Sequence, residues 1–106
     1  MRREQKLEQL FSALADHTRR EVIRRLSERG PTTATELAEQ LPVTRQAVAK
    51  HLSALAQAGL VTSEPHGRER RFRLTPGPFR EAMTWMAEVG SEWDRRLDAL
   101  KRYLER

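Results

Sequence analysis

The chain has 106 residues and no cysteine, with 20 lysines and arginines against 15 aspartates and glutamates for a formal net charge of +5. The missing thiol excludes disulfides, thiolate metal sites and cysteine redox chemistry, and the length sets one small domain over residues 1–106. The surplus is uneven, with 8 basic against 5 acidic residues in 1–30, 4 against 2 in 60–75 and a balance elsewhere, which fits a polyanionic partner.

Leu7, Leu10, Phe11 and Leu14 recur at helical spacing and predict a first amphipathic helix over residues 5–15. Asp16 reads as the N-cap of a second helix, from about His17 to Arg29, with Val22, Ile23 and Leu26 inward. Gly30-Pro31 stops it. Thr33 with Glu36 three residues later is a capping box, so a third helix starts there and ends near Leu41, with Leu37, Ala38 and Leu41 facing the core. Pro42-Val43 is a turn, Thr44 caps a fourth helix, and Gly59 closes it with a left-handed backbone.

Two short helices joined by a tight polar link are how a helix-turn-helix is written. The fourth helix anchors itself by Val48, Leu52 and Leu55 and leaves Arg45, Gln46, Lys50 and His51 outside. Arg45 can pair bidentately with guanine and Gln46 with adenine, because each matches two groups on the base edge. Lys50 lies one turn beyond Gln46, and Ala49 is small enough to approach a thymine methyl. Thr44 combines a cap with a helix N-terminus that attracts phosphate. His51 is expected to touch the DNA backbone or to pack against the hairpin C-terminal to this helix.

Leu60–Pro65 and Arg70–Thr75 alternate weakly and predict the two strands of that hairpin, with Val61, Phe72 and Leu74 inward and His66-Gly67-Arg68-Glu69 at the tip. Arg71 and Arg73 share one face and Arg70 takes the other with Phe72. A wing of this kind places Gly67, Arg68 and Arg70 where they can reach phosphates or the minor groove; arginines on an edge strand also discourage aggregation.

Pro76-Gly77-Pro78 breaks the chain, and Pro78 suits the first residue of a last helix over about residues 78–105. Phe79, Met83, Met86, Val89, Trp93, Leu97, Leu100 and Leu104 follow in steps of three and four, a seam of coiled-coil type. One small domain cannot cover so long a stripe, so a homodimer through the first and last helices is expected. The fold class is mainly α with a small β-hairpin: four helices, the hairpin and a fifth helix.

Other chemistries find little here. His17, His51 and His66 lack metal-ligand spacing, and an oxygen-donor site would have to draw on Glu88, Glu92 or Asp94. The serines have no local base signature and there is no glycine-rich phosphate loop, so neither an enzyme nor a cofactor is expected. No apolar run approaches the roughly 20 residues that cross a bilayer, and the opening MRREQKLEQLF has no signal core; a cytoplasmic protein is expected. A winged helix that docks on protein is the alternative. RNA binding would want more exposed aromatics. Trp85 and Trp93 read as core aromatics, and the sequence names neither an operator nor a small-molecule effector.

Over about residues 7 to 76 the chain resembles the ArsR/SmtB family of bacterial winged-helix repressors. The resemblance is carried by Ala13-Leu14-Ala15-Asp16 with Thr18-Arg19, Glu36-Leu37-Ala38, Ala47-Val48-Ala49-Lys50-His51-Leu52, Ala58-Gly59-Leu60-Val61 and Gly67-Arg68. The stretch from Glu92 to Leu100 is similar to a branch of sporulation-delaying autorepressors that lacks metal ligands. The resemblance implies a homodimer packed through first and last helices and repression by occupying a palindromic operator, often the protein's own promoter. It places base reading on Arg45, Gln46 and Lys50, and wing contacts on Gly67 and Arg68. Metal sensing is not implied, since the third helix reads ATELAEQL and the last has no histidine. The family commonly has proline where His17 stands.

Overall fold

A computed structural model describes residues 2–105. In chain order these form α1 (Arg3–Leu14), α2 (His17–Arg29), β1 (Thr32–Thr33), α3 (Ala34–Gln40), α4 (Arg45–Gln57), β2 (Val61–His66), β3 (Glu69–Leu74) and α5 (Pro76–Leu104). The helix-turn-helix of α3 and α4 with its β2–β3 wing is the expected architecture.

Local side chains start and stop the helices as their chemistry dictates. The Asp16 carboxylate accepts from the Arg19 backbone N–H at 2.9 Å, and Gly30 ends α2 at a φ of 78°. Thr33 accepts from the Glu36 N–H at 3.2 Å. Only that half of the capping box forms, because the Glu36 carboxylate takes the Thr32 hydroxyl instead. Past α4, Gly59 at φ 75° lets Leu60 N–H reach the Leu55 carbonyl and Gly59 N–H the Ala56 carbonyl, the paired bonds of a Schellman motif.

Two expectations need correction. The sheet has three strands, in the order β1-β3-β2 and all antiparallel, rather than a hairpin alone. Thr32 and Thr33 pair with Phe72 and Arg71. The segment leaving α2 must cross the sheet edge to reach α3, and buried backbone there needs partners; β3 supplies them. The last helix also begins earlier, with Pro76 rather than Pro78 in its first turn position, and the Thr75 N–H ties that start to the Leu60 carbonyl.

The core gathers one face of every helix. Val22, Val48, Leu52, Leu55 and Leu60 are fully buried, with Leu10, Leu26 and Leu37 nearly so. Phe72, Leu74 and Phe79 pack against it, half-buried. Leu7 and Leu10 lie inside this core. Within one chain α5 packs on α1 and draws them in. Ala82 of α5 is buried at that contact, and Phe11 meets Trp85 with ring centroids 5.8 Å apart. Arg3 of α1 reaches Glu88 at 3.6 Å, and α5 runs on past this point, stretching the molecule to 69 Å. Met83, Met86, Trp93, Leu97, Leu100 and Leu104 are 49–71% exposed.

The α2 cap yields a pH prediction. The Arg19 N–H, opposed by burial and helped by the positive surroundings of His51 and Arg19, holds the Asp16 carboxyl below its ordinary value of 3.8. A depressed folded-state value stabilises the fold above the unfolded value, and the gain is lost as pH falls through the folded one. The Tm of Asp16→Ala should therefore lie below wild type at neutral pH, and the gap should close as pH drops below 3.8. A gap that persists in acid would mean that the ionised cap is not the cause.

Candidate nucleic-acid interface

The turn between α3 and α4 sets the candidate recognition helix on the surface. The Thr44 hydroxyl accepts from the Ala47 N–H at 3.1 Å, while Val48, Leu52 and Leu55 sink the opposite face. Arg45, Gln46, Ala49 and Lys50 are all exposed. Among the described residues the side chains of Gln46 and Lys50 make no hydrogen bond or ion pair, so both are available to a ligand.

The wing folds back beside this helix. Gly67 takes a φ of 62° and Arg68 a negative one, the signs of a type II′ turn that suits the twist of a hairpin. His66 and Glu69 close the ladder. Arg45 and Ala49 from α4, with Arg68 and Arg70 from the wing, line one recess floored by Ala34 and Phe72. Residues far apart in sequence thus form one basic, concave surface. Gln46 and Lys50 flank it rather than line it. Arg68 at the tip is exposed, with no hydrogen-bond partner among the described residues.

The remaining wing arginines are braced along the sheet. Arg70 donates through Nε to Ser63 Oγ at 3.0 Å, and Arg73 through Nε to Thr62 Oγ1 at 3.3 Å. Arg71 pairs with the His66 ring at 2.9 Å. Bracing costs the arginines little of their charge and fixes where it sits.

Two arrangements have no signal in the sequence. His51, expected at the backbone or against the wing, is half-buried, and its Nδ1 accepts from Arg19 Nε of α2 at 3.2 Å. Arg45 is held as well: its Nε donates to Thr35 Oγ1 of α3 at 3.0 Å, and Nη2 lies 3.7 Å from Glu69 Oε1 of β3. The Thr35 hydroxyl bonds to the same carboxylate. That bond, with Thr33 and the charges of Arg45 and His66 assisting against burial, holds the Glu69 carboxyl below its ordinary 4.5. By sequence alone Glu69 is only part of the hairpin tip.

Among the described residues no helix is long and apolar enough to cross a membrane, and no three histidine, aspartate or glutamate side chains gather to metal-binding size.

Comparison with known proteins matches this geometry. A family model described as a helix-turn-helix domain matches residues 14–64. The HTH-type transcriptional regulator Rv2034 of Mycobacterium tuberculosis is 41% identical over 85 residues, covering 80% of this chain and 72% of that protein. YuzN of Bacillus subtilis, an uncharacterized HTH-type transcriptional regulator, is 48% identical over 80 residues, covering 70% and 87%. Among solved structures, an ArsR-like transcriptional regulator from Rhodococcus sp. RHA1 superposes with a TM-score of 0.83 at 44% identity, covering 94% of this chain and 91% of that one.

Proposed function

This chain belongs to the ArsR family of DNA-binding, helix-turn-helix transcriptional regulators, and we propose that it acts in the cytoplasm as a homodimeric repressor at a palindromic operator. One observation carries the reading: the exposed polar face of α4 and the arginine-bearing wing border a single recess, while α5 bears an apolar stripe that stays exposed among the described residues. The first is a surface for duplex DNA and the second a surface for another copy. Paired by a two-fold axis, two α4 helices reach successive major grooves, with half-sites about 10–10.5 bp apart or a multiple of that.

Within that arrangement Arg45, Gln46 and Lys50 read base edges, and Ala49 lies against a thymine methyl. Thr44, Gly67, Arg68 and Arg70 meet phosphates or the minor groove. His51, tied to Arg19, supports the helix and offers the backbone at most its other ring edge. The apolar residues of α5 from Met83 to Leu104, with Phe11 and Leu14 beside them, form the dimer seam.

Selection of duplexes from a random-sequence pool, followed by sedimentation of the complex, tests the proposal. The expected result is an inverted repeat bound by two copies. A monomer that enriches no sequence would end it. The wing adds a finer prediction: Arg68→Ala should weaken selected and random duplexes alike and flatten the slope of log affinity against log salt by about one unit. An unchanged slope would take Arg68 off the phosphate.

A further inference from the structure

We propose that Glu69 of the wing and Thr35 of α3 are a specificity-determining positioning pair, holding one edge of the Arg45 guanidinium so that its other edge is presented to a base. The inference rests on Arg45 being a base contact, as proposed above, and adds what sets its aim.

The guanidinium is planar, with five N–H donors fixed as a fork. Nε and Nη2 belong to one edge, and that edge is taken: Nε by Thr35 at 3.0 Å and Nη2 by the charge of Glu69 at 3.7 Å. Thr35 and Glu69 are themselves hydrogen-bonded. Three side chains from α3, α4 and β3 thus close a triangle. Among the described residues Nη1 has no partner, so the Nη1–Nη2 edge remains for a ligand. Guanine O6 and N7 ask for two parallel donors of this kind.

The placement is otherwise hard to explain. Glu69 is a carboxylate among Arg68, Arg70 and Arg71 on a surface built for phosphates, where negative charge repels the ligand. The Thr35 hydroxyl and the Arg45 charge favour its ionised form and hold the carboxyl below its ordinary value. What it supplies in exchange is order. The Arg45 side chain is 56% exposed, and an unanchored arginine samples many rotamers that binding must freeze. With one edge anchored beforehand, less order is lost on binding and a misplaced base meets a donor pair that cannot swing away. The same tie joins the wing to α4 and so fixes the angle between the two DNA-facing elements.

The test is duplex selection from a random-sequence pool by full-length wild type, Arg45→Ala, Glu69→Gln and Thr35→Val. The position whose guanine preference disappears in Arg45→Ala marks the base that Arg45 reads. Glu69→Gln and Thr35→Val should relax preference at that position and leave the others as they were. Operator affinity should fall on the order of tenfold, while Glu69→Gln binds random duplex at least as well as wild type, since a negative charge has left the DNA face. In the Arg45→Ala background Glu69→Gln should change nothing at that position. Unaltered preference there in both variants, or preference lost evenly at all positions, would overturn the proposal. If wild type itself enriches no sequence, the base-reading role of α4 fails first and the positioning pair falls with it; the two failures are therefore distinct. Thr35→Val leaves the hairpin intact and keeps the result readable if Glu69→Gln disturbs the wing.

Discussion

Replacing Leu97 and Leu100 together with aspartate should give a folded monomer that binds the selected operator on the order of 10²–10⁴ times more weakly than wild type. Both side chains are more than half exposed in the single chain, so the substitutions disturb no intrachain core and helix content should survive. Across a two-fold interface each change acts twice. Each leucine removed forfeits roughly 1.5–3 kcal/mol of burial, and the aspartates bring charge to positions that an apolar seam would desolvate. What is lost on DNA is the second half-site: once one copy is bound, its partner no longer arrives at high effective concentration. Sedimentation at micromolar protein, circular dichroism and operator titration check the three parts. A variant that remains dimeric would show that the α5 stripe is covered by something other than a second copy.

The parts of this fold legible in the sequence are those whose cause is local. Asp16, Thr33 and Thr44 cap helices because a short oxygen-bearing side chain meets an orphan N–H within its own turn, and the structure keeps all three. Gly59 ends α4 because an unstrained left-handed residue is required there. The third strand has no such signature. Thr32 and Thr33 are a strand only because Phe72 and Arg71, much later in the chain, come alongside. Apolar periodicity likewise tells which face of a helix is buried and not what buries it. Leu7 and Leu10 share the spacing of Leu97 and Leu100, yet the first pair lies in the core and the second in solvent. For the candidate site the same division holds. The exposed row on α4 follows from its buried one, whereas the ties from Glu69 to Arg45 and from Arg19 to His51 join elements distant in sequence.

Truncating Arg45 or Gln46 to alanine should cost about 1–3 kcal/mol at the operator, with far less change on random duplex. The two variants should nonetheless differ, because their surroundings do. Gln46 has no partner among the described residues, so its loss removes a base contact and little else, and its salt slope should match wild type. Arg45 neutralises Glu69 at 3.7 Å. Removing it leaves an ionised carboxylate, still bonded to Thr35, facing the phosphates. Arg45→Ala should therefore also weaken random duplex slightly, and the deficit should shrink as salt screens the exposed charge. Gln46→Ala and Arg45→Ala lie on adjacent positions of α4, so each should relax preference at a different base of the half-site. Titration of both variants against operator and random duplex at two salt concentrations separates these outcomes. Equal weakening on operator and random duplex for both would mean that α4 grips the backbone and that sequence is read elsewhere.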